Sequence, residues 1–518
     1  MSFRANKKWF EILCLWLVVV VAYGNVYWNT FLYDDEFFIV KNAFYRSWGH
    51  FFDIFQGTTT TGAGGVDSFY RPLQGELYLI VFQLFGLSTV AFHALNVLIH
   101  ALNAMMVFLL GGRLGFHQRA CFVVALLWAA HPVHTEAVTY MSATADVLYA
   151  FFCLLGLWFL VGKRLVWASV IYVFGILSKE ASVVFLPLSL LCLFVVSAER
   201  WKVKTYLKTW PFFLITLGYL LARKTFLNFD NTFNFYKESN LYTENILYRV
   251  YTFLATLPSY VKILFYPSPL HLDKEFPVYI EFFTWPVLLG LALVLFATWK
   301  VFRDLRRGIL PLAFGLLWFF MAYFPHTGIL VPMNAFFLDH WLYLPTVGLL
   351  LGVGETAYQS LKTYFGKLSF QRAFIAIIGI ILCVEMVLTW RQNTFWSDPI
   401  TFYSHILENS QTGSARVHNN LAMAYADQGE FEKAIRTYEK AISVSDEYPQ
   451  THHNLALVFL RLEKIPKAVE HLDRAIQINS QFYQSYEVLA RIYEAQGDKA
   501  QAEKFQKDFL RIRSQFVK

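Results

Sequence analysis

Long apolar runs, repeated along the first three quarters of the chain, constrain its fold more than any other feature. Twelve segments approach the length of about 20 residues that a helix needs to cross a bilayer, and more polar connections separate them. Charged residues make up about one eighth of residues 1–395 but about one quarter of residues 396–518. So little charge cannot cover the surface of a soluble globule. The sequence therefore predicts a membrane domain, 1–395, followed by a soluble domain, 396–518.

The positions of Lys and Arg select eleven of the twelve apolar segments as membrane spans. Cytoplasmic connections carry an excess of Lys and Arg. The four basic residues of segment 300–307 fit this rule only if segment 246–266, which Pro258 interrupts, lies along the membrane surface. The amino terminus is then cytoplasmic, while the tail and two long loops, 30–89 and 224–282, are outside. The expected spans are 10–28, 90–111, 120–133, 146–162, 166–178, 181–197, 209–223, 284–301, 309–325, 341–358 and 373–390.

The soluble tail is a tandem repeat with a period of 34 residues. Leu421, Leu455 and Leu489 share one register, and small residues recur at other fixed positions. This pattern is typical of tetratricopeptide helix-turn-helix repeats, in which small residues let paired helices approach closely. It predicts an α-solenoid, an architecture that serves as a peptide-binding surface or as a structural scaffold. The copies are 415–448, 449–482 and 483–516, after a half-copy near 398–412.

The first outer loop carries charged residues near both of its ends. Asp34, Asp35 and Glu36 follow the first span directly, and Arg71 stands before Pro72 further along the loop. Three adjacent carboxylates either supply a proton acceptor with a raised pKa or remain solvated. A lone Arg at the membrane surface contacts either a ligand or a phospholipid headgroup.

Four further groups of polar residues lie at or near the outer ends of spans. They are His93, Asn96 and His100; His131, His134 and Glu136; Lys179 and Glu180; and Asp339 and His340. The first group shares one helix face, which indicates either hydrogen bonds between helices or the lining of a cavity. Pro132 breaks the regular spacing of the second group, so we expect no metal site there. Lys179 and Glu180 either pair with each other or face a ligand. Together these positions predict an active site at the outer membrane face.

Six motifs in a fixed order, followed by the repeats, resemble the transmembrane and tetratricopeptide-repeat-containing O-mannosyltransferases. The motifs are YDDE (33–36), FYRPLQ (69–74), FHALNVLIH (92–100), AAHPVHTEAV (129–138), SKEA (178–181) and HWLYLPTVG (340–348). The resemblance covers essentially the whole chain and implies the GT-C glycosyltransferase fold. It also implies a donor sugar on a polyprenyl phosphate, such as dolichyl phosphate mannose, with no nucleotide and no further cofactor.

Two departures from the animal members bear on the source of the chain. Those proteins carry a Glu-Arg pair where this chain has Asp339 and His340, and an imidazole is charged only when protonated. The repeat array is also shorter than theirs. We therefore expect a bacterial relative in the inner membrane, with the repeats in the periplasm, or luminal repeats if the chain is eukaryotic.

The resemblance suggests a role for each candidate residue. Asp34 matches the Asp of the acidic motif and is the expected base, since an acceptor hydroxyl is a poor nucleophile. Asp35 would orient Asp34 or the acceptor. A polyprenyl phosphate leaving group needs cationic stabilisation, which Arg71, Lys179 and His340 would supply. The expected site-lining residues are Glu36, His93, Asn96, His131, His134, Glu136, Glu180 and Asp339.

The expected activity is transfer of a mannose-like sugar from a polyprenyl phosphate to a hydroxyl, with protein Ser/Thr as acceptor and the repeats holding that protein. A lipid or polysaccharide acceptor stays open. A transporter of lipid-linked glycans would need paired inverted repeats with broken helices, which we do not find in the sequence. A non-catalytic assembly factor that works through its repeats would tolerate Asp34→Asn. The basic excess belongs to the membrane domain, so we expect membrane lipids and no nucleic acid as partners.

Overall fold

The structure is a computed structural model that describes residues 2–64, 69–225, 227, 239–411 and 413–515. Within these ranges it contains helices, turns and loops but no β-strand, which confirms the predicted all-α class. The chain divides into two compact units. The first consists of Met1–Leu272 and Phe276–Ser397, and the second of Asp273–Glu275 and Asp398–Lys518.

The described part of the first unit contains fifteen α-helices, joined by turns and by longer loops. They are α1 (Ser2–Ala22), α2 (Pro72–Phe85), α3 (Thr89–Arg113), α4 (Gln118–Ala130), α5 (Thr135–Thr139), α6 (Thr144–Val161), α7 (Leu165–Ser178), α8 (Phe185–Val196), α9 (Trp210–Thr225), α10 (Leu241–Glu244), α11 (Ile246–Phe265), α12 (Trp285–Arg306), α13 (Pro311–Tyr323), α14 (Tyr343–Leu361) and α15 (Leu368–Thr394). Each predicted span overlaps one of these helices. The first helix ends at Ala22, earlier than the predicted end at Trp28.

Several of these helices have the length and composition of membrane spans. Among the described residues, α3, Met141–Val161, α12 and α15 are long and apolar enough to cross a bilayer. Helix α4 and the adjoining segment Pro132–Thr139, bent by 55°, raise this number to five if they form one broken span. These helices agree with a membrane protein, while the count of eleven spans and the surface position of α11 stay predictions.

A core of buried apolar residues in the first unit lies between α1, α3, α4, α6, α7, α8, α9, α13 and α14. Helices α13 and α14 approach closely because glycines face each other at their contact. A Cβ added to Gly315 would lie 2.9 Å from the carbonyl oxygen of Gly348, and one added to Gly352 would lie 2.4 Å from that of Pro311. Small residues permit such close packing between apolar helices. This contact fixes the start of α14, which follows directly on the turn that carries His340.

The second unit contains the predicted helix pairs. Its helices are α16 (Pro399–Asn409), α17 (Ala415–Asp427), α18 (Phe431–Val444), α19 (Pro449–Arg461), α20 (Ile465–Ile478), α21 (Tyr483–Ala495) and α22 (Lys499–Arg513). Each predicted 34-residue copy holds one pair, and Ala434 and Ala468 are fully buried between helices, as the repeat pattern requires. A feature that the sequence did not predict is the inclusion of Asp273–Glu275. The Glu275 carboxylate accepts hydrogen bonds from the backbone N–H groups of Gln411 (3.0 Å) and Gly413 (2.7 Å).

The predicted orientation can be tested with reporter fusions. A reporter joined after Arg307 should be cytoplasmic, because the preceding segment holds Lys300, Arg303, Arg306 and Arg307. A reporter joined after Trp396 should be extracytoplasmic. Alkaline phosphatase fusions give a signal on the outer side of the membrane, and green fluorescent protein fusions give one on the cytoplasmic side, so the two reporters check each other. A cytoplasmic signal after Trp396 would contradict both the eleven-span count and the outside position of the repeats.

Candidate active site

A short segment that connects α5 to α6 and includes the first turn of α6, residues 140–146, holds together many of the predicted polar residues. The hydroxyl oxygen of Tyr140 accepts a hydrogen bond from the backbone N–H of Asp34 at 3.1 Å. The backbone N–H of Ser142 donates to Oδ1 of Asp35 at 2.8 Å, and the Ser142 hydroxyl donates to the same oxygen. The first outer loop is therefore attached to this segment by both residues of its Asp-Asp motif.

The two aspartates of the motif have different environments. Asp35 is buried, and its second oxygen, Oδ2, accepts the backbone N–H of Leu32 at 2.9 Å. Burial raises the pKa of Asp35 to about 7, although its hydrogen bonds act in the opposite direction. Asp34 is only half-buried and follows Tyr33, whose backbone has a left-handed φ of 53°. Asp35 therefore anchors the loop through its carboxylate, whereas Asp34 lies nearer to the surface.

Two ion pairs lie beside this segment. Arg71 donates from Nε and Nη2 to the two carboxylate oxygens of Glu180, at 3.1 and 2.7 Å. Lys179 donates from Nζ to both oxygens of Asp146, at 2.7 and 2.8 Å. The side chains of the second pair are only 6% and 4% exposed, whereas those of Arg71 and Glu180 are 10% and 28% exposed. The Arg71 pair is thus the more accessible of the two.

One alternative from the sequence, the pairing of Lys179 with Glu180, is wrong. Lys179 has an extended backbone, with φ −160° and ψ 141°, and neighbouring side chains of an extended chain point to opposite sides. Each residue therefore finds a partner on another element. Burial would raise the pKa of Glu180, but the charge and hydrogen bonds of Arg71 outweigh it and lower the value to about 2.

A third pair links two motifs whose paired residues are 204 positions apart in sequence. His340 Nδ1 lies 2.6 Å from Oε1 of Glu136, and the backbone N–H of Asp339 donates to Oε2 of Glu136 at 3.0 Å. The charges of His340 and Arg71 are also close enough to interact with Asp146. The three predicted cations therefore belong to one cluster, and each of them faces a carboxylate.

Two residues of this cluster, Asp146 and His326, were not predicted from the sequence. Asp146 lies in the first turn of a predicted span, where an ionisable residue is costly and usually functional, so the signal was present. His326 follows α13 directly and is buried. Its ring stacks on the indole of Trp341, with centroids 4.9 Å apart and planes inclined by 14°.

The polar face of α3 forms hydrogen bonds within the helical core. His100 contacts the Tyr343 hydroxyl with Nδ1 (2.6 Å) and the Ala129 carbonyl with Nε2 (2.9 Å). Asn96 donates to two backbone carbonyls before α6 and accepts from the Thr144 hydroxyl at 2.6 Å. His93 is also buried. Of the two alternatives for this face, the contacts of His100 and Asn96 favour hydrogen bonding between helices.

Three other candidates have contacts outside the charge cluster. His131 contacts the Leu264 carbonyl with Nε2 at 3.1 Å, and His134 is packed among aromatic rings. Glu36 faces Lys41 at 3.3 Å near the surface. Within the described ranges, no three or more His, Cys, Asp or Glu side chains are arranged to hold a metal ion.

Comparison with known proteins agrees with the sequence motifs. The chain is 24% identical over 459 residues to a protein O-mannosyl-transferase of Caenorhabditis elegans, an alignment that covers 85% of this chain and 63% of that protein. It is also 24% identical over 496 residues to a protein O-mannosyl-transferase of Mus musculus, with 85% and 52% covered. The chain is a homologue of these protein O-mannosyl-transferases. It thus spans between about half and two thirds of the length of the relatives it matches.

The carboxyl-terminal region of this O-mannosyl-transferase homologue carries tetratricopeptide repeats. Two family models, both described as tetratricopeptide repeat, match residues 413–481 and 453–515, which confirms the predicted repeat. Among solved structures, the oligosaccharyltransferase of Archaeoglobus fulgidus aligns with 79% of this chain and 59% of its own, at 14% identity and a TM-score of 0.39.

The buried pair of Lys179 and Asp146 should be essential for stability in this homologue. Lys179→Met leaves an uncompensated buried carboxylate, so we expect the free energy of unfolding to fall by about 3–5 kcal/mol. Unfolding of the purified protein in detergent measures this change. Lys202→Met is a matched control, since Lys202 forms an exposed pair with Glu199 and should cost at most about 1 kcal/mol. Equal stability of Lys179→Met and wild type would contradict a stabilising role for the pair.

Proposed function

We propose that this chain is a membrane glycosyltransferase that transfers a mannose-like sugar from a polyprenyl phosphate to the hydroxyl of a protein Ser or Thr at the outer membrane face. One observation carries the proposal. In a homologue of protein O-mannosyl-transferases, segment 140–146 holds the acidic motif and, through Asp146, one of the cations of the charge cluster. A base and a cation-rich site for a leaving group are thus neighbours.

Asp34 is the proposed base. The acceptor oxygen attacks the anomeric carbon of the sugar and forms the new C–O bond, while the bond between that carbon and the phosphate oxygen breaks. The phosphate leaves with the electron pair, and Asp34 takes the hydroxyl proton. Its half-buried position supports this role because an acceptor can reach it, whereas both Asp35 oxygens already accept hydrogen bonds.

Arg71 is the proposed contact to the departing phosphate. A guanidinium presents two parallel donors that match a phosphate, and the Arg71–Glu180 pair is accessible enough for a phosphate to approach it. Lys179 is more deeply buried and forms an ion pair with Asp146. We therefore assign it a structural role in the site, together with longer-range electrostatic stabilisation of the phosphate. His340 would support the phosphate only when it is protonated.

The tetratricopeptide repeats are the proposed holding surface for the acceptor protein. Repeats of this kind present an extended surface that binds peptides in many proteins. The proposed arrangement places them on the outer side, where a prenyl-anchored donor would present its sugar. Membrane lipids and the prenyl carrier would be the other partners.

Transfer by the reconstituted protein tests this function. Purified protein in liposomes would receive a polyprenyl phosphate carrying tritiated mannose and a Ser/Thr-rich acceptor peptide. We expect radioactivity in the peptide, and release of the label by β-elimination would identify an O-glycosidic bond. A folded protein that transfers to no peptide, lipid or glycan acceptor would contradict the proposal and favour a non-catalytic role.

A further inference from the structure

A groove along α12 has room for a ligand, and none of its lining residues belongs to the charge cluster. Its volume is about 490 Å³. Among the described residues, α12 and the residue that follows it supply the whole lining: Leu295, Thr298, Trp299, Phe302, Arg303, Arg306 and Arg307. These positions recur at intervals of three and four residues, the spacing that places side chains on one face of a helix. The groove therefore follows the carboxyl-terminal half of α12.

The charges at this end of α12 are unequally neutralised. Asp304 is fully buried. Its carboxylate accepts hydrogen bonds from Lys300 and, at 3.4 Å, from Arg303. The side chains of Arg306 and Arg307, by contrast, are exposed and form no hydrogen bond or ion pair with any residue that the structure describes. Two guanidinium groups of the groove are thus available to an anion from outside the protein.

The other end of the groove is apolar. The side chains of Leu295, Trp299 and Phe302 are each more than half exposed. The guanidinium of Arg303 lies 4.6 Å from the centre of the Trp299 ring, so charged and apolar lining meet at this indole. Trp is enriched at the boundary between the hydrocarbon and the headgroups of a bilayer. An inorganic anion would not use the apolar lining, and an uncharged hydrocarbon would not use the arginines. The ligand that fits both is an amphipathic anion.

The position of the groove in the membrane selects the kind of amphipathic anion. The predicted orientation places this end of α12 in the cytoplasmic leaflet, whose anionic lipids attract nearby Lys and Arg side chains. The prenyl phosphate donor is proposed to bind at the opposite face. Basic residues beside a span also orient the chain, but orientation needs only their charge. It requires neither a groove nor apolar side chains beside the arginines.

We propose that this groove binds an anionic phospholipid of the cytoplasmic leaflet. The headgroup phosphate contacts Arg306 and Arg307, whose guanidinium groups form charge-assisted hydrogen bonds with phosphate oxygens. One acyl chain lies along Trp299, Phe302 and Leu295. The site does not depend on the proposed sugar transfer, because it shares no residue with the proposed active site.

Lipid titrations followed by native mass spectrometry test the site. The full chain in detergent would be titrated with dioleoyl phosphatidylglycerol, which is anionic, and with dioleoyl phosphatidylcholine, which has the same acyl chains but no net charge. Glycerol phosphate, which has the anionic headgroup but no acyl chain, would be added as a competitor. Wild type should bind phosphatidylglycerol at least about tenfold more tightly than phosphatidylcholine. Equal binding of the two lipids, or displacement of phosphatidylglycerol by an equal concentration of glycerol phosphate, would contradict the proposal.

Two variants remove the two parts of the site separately. The double variant Arg306→Gln/Arg307→Gln should weaken binding of phosphatidylglycerol by about tenfold or more and leave phosphatidylcholine unchanged, because both contacts to the phosphate charge are lost. Phe302→Ala should weaken phosphatidylglycerol binding severalfold through the loss of apolar contact. All three side chains are exposed, so the variants should fold, and circular dichroism checks this.

The matched control is the double variant Lys367→Gln/Arg372→Gln. It removes the same charge from exposed positions of another predicted cytoplasmic connection, and it should bind phosphatidylglycerol as wild type does. If both double variants lost the same affinity, the lipid would respond to the overall basic charge, and the groove would not be a site. Wild-type binding by the Arg306→Gln/Arg307→Gln variant would also refute the proposal. Neither result would change the expectation of sugar transfer.

Discussion

Asp34→Asn should nearly abolish sugar transfer while leaving the protein folded. The amide keeps the shape of the carboxylate but cannot accept the proton of the acceptor hydroxyl, and loss of a general base costs about 10²–10⁴ in rate. The backbone N–H of Asp34, which donates to Tyr140, is unaffected by the change, so the loop should keep its position. The measurement is the initial rate of label transfer from the mannose-bearing lipid, together with the unfolding temperature.

Two variants of the same loop make this result interpretable. Asp53→Asn is the control, because Asp53 is an exposed loop acid that pairs with His50 at 2.7 Å, and its rate should equal that of wild type. Asp35→Asn should instead lower stability, because the amide presents N–H groups toward the backbone N–H of Leu32 or toward the donors of Ser142. A stable Asp35→Asn variant without activity, beside an active Asp34→Asn variant, would move the base to Asp35. Full activity of both would refute catalysis by the acidic motif.

Arg71→Ala should lower turnover by about 10²-fold and weaken binding of the prenyl phosphate. Removing one preorganised donor to a developing negative charge has a cost of this size. Glu180, its partner, is 28% exposed and can be hydrated once Arg71 is gone, so folding should be little affected. Lipid binding and transfer rates would be measured on the same preparation.

Arg46→Ala is the matched control for Arg71. Arg46 lies in the same outer loop and also contacts an aromatic ring, that of Phe82 at 4.1 Å, but it has no part in the charge cluster. It should bind the lipid and transfer the sugar at wild-type rates. Arg71→Lys should recover only part of the activity, since an ammonium lacks the paired donors of a guanidinium. If Arg71→Ala bound and used the donor as wild type does, its phosphate role would be wrong.

The regular parts of the fold were predictable from the sequence because their signals are local. An apolar run of sufficient length favours a helix in a membrane whatever surrounds it, and each predicted span overlaps a helix. The 34-residue period likewise predicted helix pairs, since every copy repeats the same contacts between near neighbours. The resemblance to O-mannosyltransferases rested on motifs that are short and continuous, and it was confirmed by alignments that cover 85% of the chain.

Candidate site residues could be selected from the sequence, but their partners could not. Polar residues near the ends of apolar runs and in the first outer loop predicted Asp34, Arg71, Lys179 and His340 as candidates. The pairing of Lys179 with Asp146, 33 residues away, and of His340 with Glu136, 204 residues away, depends on how the helices pack. No local sequence pattern predicts contacts between residues so far apart in the chain.

What the sequence alone determined is a helical membrane protein with tetratricopeptide repeats and a set of charged residues at one end of its spans. The tertiary structure decided which charges neutralise each other, that Asp35 is tied into the loop while Asp34 stays half-buried, and that neither ring nitrogen of His326 has a hydrogen-bond partner among the described residues. The physical reason is that secondary structure follows from hydropathy and backbone geometry along the chain, whereas burial and hydrogen bonding of a side chain depend on elements that meet only after the helices have packed.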